Sequence, residues 1–134
     1  MGKLVIVADN VEPVRAAIKE ALEADVRADS RYGEVEIALA ASGDAVLSLC
    51  HTARPSLILM DVEMPGRDGV DTFYALKKLD AGLASTVVFL TGYAGSAAVQ
   101  SRIDQALAAG ASGVIAKPAS ADQLRRVLER HLTP

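Results

Sequence analysis

Four polar residues each close an apolar run in this chain. Asp9 follows "LVIVA" (4–8), Asp61 follows "LILM" (57–60), Thr91 follows "TVVFL" (86–90) and Lys117 follows "GVIA" (113–116). Glu63 stands two residues beyond Asp61, ahead of the turn residues Pro65, Gly66, Asp68 and Gly69. A carboxylate can act as a nucleophile and form an aspartyl phosphate. Two carboxylates with a backbone carbonyl and waters suit Mg²⁺, a hard cation that prefers oxygen. Phosphoryl transfer asks its surroundings for positioning and charge neutralisation more than for covalent help, and an ammonium and a hydroxyl donor contribute to both. Each residue alone has a plainer reading. An Asp after a strand is commonly a turn or N-cap residue, a Lys is commonly solvated, and a Thr at a strand end is commonly an ordinary hydroxyl. The recurrence of all four at the same kind of position points to chemistry.

These residues need elements to hold them. The five apolar runs, the four above and "VEIALA" (35–40), are short and mostly continuous, with many β-branched residues. That pattern fits strands buried on both faces, as in a parallel sheet. "VEIALA" alternates more, as an edge strand does. Between the runs lie apolar stripes at helical spacing: Val14, Ile18, Ala21 and Leu22; Val99, Ile103, Ala106 and Leu107; Leu124, Val127, Leu128 and Leu132. Less regular helices are expected over 43–53 and 70–79. Gly110 has the place of a helix C-cap. A βα unit repeated five times argues for an open parallel α/β sheet covered on both faces. In such a sheet ligands bind at the carboxyl ends of the strands, where all four polar residues fall. The segment 27–34 is polar and is expected as a surface loop.

Composition narrows the classes. At 134 residues, 51% of them hydrophobic and 4% aromatic, the chain is expected to form one domain over 1–134 with an aliphatic core and no attached output domain. Its net charge of −3 gives no general reason to expect nucleic-acid or membrane-surface binding. No apolar run reaches the roughly 18–20 residues that span a bilayer. The N-terminus lacks a secretory signal, and Gly2 precedes a strand too closely to suggest myristoylation. The single Cys50 excludes an internal disulfide and fits a cytoplasmic, reducing compartment. Cys50 is expected in the core and His51 and His131 at exposed helix ends. Arg125, Arg126, Glu129 and Arg130 are expected on a solvated face or a partner surface.

With "VADN" (7–10), "LILMDVEMPGRDG" (57–69), "VVFLTG" (87–92) and "AKP" (116–118) in this order, the chain resembles the receiver domain of two-component response regulators over essentially its whole length. The resemblance implies a flavodoxin-like doubly wound (βα)5 fold with strand order 2-1-3-4-5. Asp9 and Asp61 would then face each other across one crevice. It implies Asp61 as phospho-acceptor, Asp9 and Asp61 as Mg²⁺ ligands, and the Glu63 backbone carbonyl as a further ligand. Thr91 would hydrogen-bond the phosphoryl group. Lys117 would pair with Asp61 before transfer and with a phosphoryl oxygen after it. Pro118 resembles the proline whose preceding bond is often cis in this family. The implied partners are a histidine kinase or histidine phosphotransfer protein and a downstream protein. Beyond its own phosphorylation and dephosphorylation no enzymatic activity is implied.

The chain departs from the family pattern. Ala8 stands where an acidic pair usually begins, which implies weaker Mg²⁺ binding and slower phosphorylation. Val114 replaces the switch aromatic three residues before the lysine, and Ala119 replaces a larger apolar residue. Tyr93 and Glu63 fall at two variable positions that influence phosphoryl hydrolysis, where a tyrosine would shield the site from water. These departures keep a second reading open, that of a degenerate receiver that binds partners without phosphorylation. A phosphatase resembling the haloacid dehalogenases would place a second Asp at position 63 and carry a cap insertion, and neither is present. A flavin-binding relative of the fold would carry a Ser/Thr-rich phosphate loop after the first strand, which is not evident.

Overall fold

Continuously apolar strands demand cover on both sides, and the chain supplies it with helices. A computed structural model describes residues 2–92 and 96–133. Five strands, β1 (Lys3–Ala8), β2 (Val35–Ala40), β3 (Leu57–Asp61), β4 (Val87–Thr91) and β5 (Gly113–Ala116), alternate with five helices. The helices are α1 (Glu12–Ala28), α2 (Gly43–Thr52), α3 (Gly69–Leu79), α4 (Ala97–Ala108) and α5 (Ala121–Leu132). The strands pair in parallel in the order β2-β1-β3-β4-β5. This is the flavodoxin-like, doubly wound order expected from the resemblance, with "VEIALA" at an edge.

Side-chain alternation along each strand divides the core in two. Ile6, Ile58, Met60 and Phe89 point to one face, where they pack with Val46 and Cys50 of α2, Phe73 and Leu76 of α3, and Ile103 and Ala106 of α4. Val5, Val7, Leu57, Leu59, Val88 and Leu90 point to the other, against Ile18 and Leu22 of α1 and Leu124, Val127 and Leu128 of α5. Every residue of β3 is buried, which is why its sequence reads as one apolar run. Burying each such aliphatic side chain contributes about 1.5–3 kcal/mol before ordering costs.

The expected boundaries shift where local hydrogen bonding intervenes. The fourth strand runs over 87–91 rather than 86–90. Thr86 instead closes a 3-10 turn, Ala81–Thr86, and donates its hydroxyl to the Leu83 carbonyl. Thr91 is therefore the last strand residue. The segment 27–34 lies largely at the surface, as its polarity suggested, but it is not wholly irregular. α1 continues to Ala28, a 3-10 turn covers Ser30–Tyr32, and Tyr32 is buried under α1. His131 is likewise half-buried rather than exposed. Its Nε2 lies 3.2 Å from Ser112 Oγ, and burial lowers the pKa of its imidazole, opposed by a hydrogen bond to the Ser56 backbone. Gly110 does terminate α4. It adopts φ +121°, and the Ala111 and Gly110 amides reach back to the Ala106 and Leu107 carbonyls in a Schellman closure.

One close approach fixes the loop that carries the central aspartate. The Gly69 amide donates to the Val62 carbonyl at 2.9 Å, folding the start of α3 back over the end of β3. A Cβ at position 69 would fall on the Asp61 carbonyl oxygen and lie 2.9 Å from Val62 Cα. Both neighbours are backbone and have nowhere to move. Gly69→Ala is expected to destabilise the fold by about 2 kcal/mol or more. Chemical denaturation followed by circular dichroism checks this, and a midpoint equal to wild type would show that the loop yields.

Candidate functional site

Parallel register carries the expected residues to one end of the sheet. Ala8 pairs with Met60, so the next residues, Asp9 and Asp61, come side by side. Asp61 pairs with Leu90 and Thr91 with Ala116, so Thr91 and Lys117 stand at the same end. The Lys117 amide donates to the Thr91 carbonyl at 2.8 Å, tying the two strand ends together. The Lys117–Pro118 peptide bond is cis.

Asp9 is wholly buried and Asp61 is 3% exposed. Their four carboxylate oxygens are all hydrogen-bonded, in the same way at both residues. Asp9 Oδ1 accepts from the Val11 amide at 2.8 Å, and Asp61 Oδ1 accepts from the Glu63 amide at 3.0 Å. Each inner oxygen thus shapes the turn that follows its strand, so the plain turn reading of these aspartates is part of the truth. Each outer oxygen meets the same cation. Lys117 Nζ donates to Asp9 Oδ2 at 2.8 Å and to Asp61 Oδ2 at 3.0 Å. The Asp9 carbonyl also accepts from Arg15 Nη1 at 2.6 Å.

Charge explains the arrangement. Two buried carboxylates side by side repel, and an ammonium between them leaves a net charge of −1. Burial pushes the Asp61 carboxyl above its ordinary value; Lys117 and the Glu63 amide pull it down, and Asp9 pushes it up again. Burial would lower the Lys117 ammonium, but hydrogen bonds to Asp9 and Asp61 outweigh it and hold the pKa above the ordinary lysine value. Lys117 is therefore a firm cation at neutral pH.

Asp61 and Lys117 border a cleft of about 620 Å³, lined also by Asn10, Glu63, Asp68, Gly92 and Arg102. Glu63 is exposed, lines the cleft and bonds Asp61 through its amide. Ala8 is buried and brings no oxygen. Among the described residues, no three His, Cys, Asp or Glu side chains gather as a metal cage. The two aspartates fit part of the sparse oxygen set that Mg²⁺ uses when waters and phosphate complete its shell. Val114 is 40% exposed on β5. Tyr93 lies outside the described residues.

Sequence reasoning missed one constellation at the cleft. Asp68 is the N-cap of α3, as its type suggests, with Oδ1 accepting from the Asp71 amide at 2.8 Å. It also receives a two-pronged ion pair from Arg102 of α4. The cap is a local signal. The ion pair joins residues 34 apart and depends on how α3 and α4 pack, so no local pattern announces it.

Comparison with known proteins agrees with this fold. A model of the response regulator receiver domain family matches residues 5–129. The chain is 32% identical over 119 residues to the chemotaxis protein CheY of Halobacterium salinarum, covering 88% of this chain and 87% of that protein. It is 29% identical over 130 residues to a protein-glutamate methylesterase/protein-glutamine glutaminase of a Nocardioides species, spanning 96% of this chain but 32% of that protein. Among solved structures it is similar to a CheY-like receiver domain protein of Methanospirillum hungatei, with a TM-score of 0.77 and 26% identity over 98% of this chain and 94% of that one.

The shared ammonium gives a direct stability test. Lys117→Met leaves two buried carboxylates facing each other without their cation. In metal-free buffer at neutral pH the expected loss is about 2 kcal/mol, below the cost of breaking a fully buried pair because the ammonium is partly exposed. The deficit is expected to shrink in acid, where protonation of Asp61, whose carboxyl burial pushes above its ordinary value, removes the repulsion. Urea denaturation at two pH values reads both effects, and an equal deficit at both contradicts the charge account.

Proposed function

The chain belongs to the response regulator receiver domain family of two-component signalling, and from that premise we propose that Asp61 accepts a phosphoryl group from a phosphohistidine and that the phosphorylated domain signals by altered protein–protein contacts. The observation that carries the reading is the Asp61 carboxylate at the edge of an open cleft, one oxygen on the Glu63 amide and the other on the Lys117 ammonium. The inner oxygen bond holds the carboxylate in place. The outer oxygen bond is to a mobile, flexible cation that can follow the incoming charge.

In the transfer, an Asp61 oxygen bonds to phosphorus while the bond from phosphorus to the donor's imidazole nitrogen breaks, and the imidazole keeps the electron pair. Lys117 moves its donors from the carboxylate to phosphoryl oxygens, neutralising charge spread over them. The Thr91 hydroxyl, at the neighbouring strand end, donates to another phosphoryl oxygen. Asp9, Asp61 and the Glu63 carbonyl would hold Mg²⁺, which when bound supplies further charge neutralisation. With Ala8 in place of a carboxylate, and Asp9 already paired with Lys117, that site is weaker than one with three acids. Hydrolysis of the acyl phosphate by water resets the domain.

A phosphohistidine must come from a histidine kinase or a histidine phosphotransfer protein. A second, apolar groove of about 530 Å³ adjoins the cleft, lined by Pro13, Val14 and Ala17 of the α1 region, Ala119 and Leu124. Lys117 lines both cavities, so a protein seated in the groove has the cleft within reach. This supports donation by a protein partner. Arg125, Arg126 and Arg130 are exposed on α5, with Arg126 and Arg130 lining a separate cavity beside Gly113 and Val114.

Ala8 and Val114 favour the competing reading of a partner-binding receiver that is never phosphorylated. Incubation with phosphoramidate, followed by intact mass, separates the two. Wild type is expected to gain one phosphoryl group in the presence of Mg²⁺, and Asp61→Asn none. Ala8→Asp is expected to lower the Mg²⁺ concentration needed by about tenfold, the scale of a lost ligand-supporting carboxylate. No gain that depends on Asp61 overturns the proposal and supports phosphorylation-independent binding. An unchanged Mg²⁺ requirement in Ala8→Asp overturns the account of the missing acid.

A further inference from the structure

The cleft that holds Asp61 and Lys117 is also lined by a residue whose charge is committed elsewhere. Arg102 of α4 reaches to the start of α3. Its Nη1 donates to Asp68 Oδ2 at 2.7 Å, and its Nη2 donates to Asp68 Oδ1 at 3.2 Å and to Asp71 Oδ1 at 3.1 Å. Among the described residues, Val99 and Arg102 are what α4 contributes to the cleft wall.

Three features make this an exchangeable contact. First, the fork of a guanidinium fits the oxygens of a phosphoryl group as well as those of a carboxylate. Second, the pair is partly solvated, with the Arg102 side chain 40% and the Asp68 side chain 26% exposed, so it holds α4 only weakly. Third, Asp68 does not need Arg102 for its structural duty. It keeps the Asp71 amide at 2.8 Å and goes on capping α3 if the guanidinium leaves. A phosphoryl group on Asp61 carries about one and a half to two negative charges in place of the carboxylate's one, so this same cleft gains up to about one negative charge. Val114, with no ring to rotate, cannot report that charge by the usual aromatic route.

We propose that Arg102 is the residue that couples the site to the surface: it latches α4 to the start of α3 through Asp68 and Asp71, and a phosphoryl group on Asp61 draws the guanidinium away and releases α4. The proposal rests on Asp61 being the phospho-acceptor. The phosphorylated domain then presents α4 differently to a partner, with the ion pair to Asp68 and Asp71 exchanged for bonds to phosphoryl oxygens. No covalent step beyond that on Asp61 is involved.

Hydrogen exchange of the α4 amides, read by mass spectrometry beside the intact mass of the same samples, tests the latch. On phosphorylation with phosphoramidate and Mg²⁺, wild type is expected to exchange its α4 amides about fivefold faster, the ratio one partly exposed ion pair supports. Asp68→Asn keeps a cap oxygen for the Asp71 amide but gives up the charge. It is expected to show the faster α4 exchange before any phosphodonor is added. Arg102→Ala, compared at equal phosphoryl occupancy, is expected to start fast and to respond by less than about twofold. A mass gain in wild type with unchanged α4 exchange overturns the latch and leaves Asp61 as acceptor. So does an Asp68→Asn protein that exchanges as slowly as wild type, or an Arg102→Ala protein that responds as wild type does. No mass gain in wild type overturns the acceptor reading, and the latch with it.

Discussion

The fold ends on a single electrostatic problem, two buried carboxylates that must share one cation. Asp9 and Asp61 arrive side by side because β1 and β3 are parallel neighbours in register. Lys117 arrives because β5 points the same way and its amide is bonded to the end of β4. Burying two like charges is unfavourable unless each oxygen is satisfied and a counter-charge is close. Both conditions are met: two backbone amides take the inner oxygens and one ammonium takes both outer ones. Among the described residues, no buried side-chain nitrogen or oxygen lacks a hydrogen-bond partner. The raised Lys117 pKa makes this a stability statement too. A cation whose folded pKa lies above its unfolded value adds stability below the ordinary lysine range and loses it as pH rises through the folded value.

The same arrangement suits a site that is meant to change. An ammonium on a flexible stem can trade a carboxylate oxygen for a phosphoryl oxygen, whereas the amides of Val11 and Glu63 stay where the backbone puts them. Immobile contacts therefore hold the aspartates, and mobile contacts hold their charge. Gly69 serves the immobile part by letting the start of α3 fold against the Asp61 backbone. Arg102 stands outside this inner set, in a weaker and more solvated pair, which suits it to answer a change in the cleft's charge without disturbing the core.

Much of this was legible in the sequence because burial writes itself into strand composition. The fully covered β3 reads as an unbroken apolar run, and the edge strand β2 mixes half-buried, exposed and buried positions. The polar residues that interrupt the ends of β1, β3, β4 and β5 stood out against that background. Strand order was not legible from pattern and came from resemblance. The sharing of Lys117 by both aspartates was only half legible, since its pairing with Asp61 was expected and its bond to Asp9 was not. Tyr32 and His131 were hidden by polar neighbours, for their burial depends on α1 and α5 folding back over distant segments. Arg102 was hidden for the same reason, since an ion pair across 34 residues leaves no periodic trace. Ala8 is the converse case, a position where a missing carboxylate was plain in the sequence and the structure adds that the methyl group is buried.

The central claim is that one lysine ammonium is held by two aspartates at the strand ends. Nuclear magnetic resonance titration of the Lys117 side chain tests it directly. The account predicts a midpoint above the ordinary value of 10.5, moving down when Asp9 is replaced by Asn. A midpoint at or below the ordinary value, or one indifferent to Asp9, would contradict it.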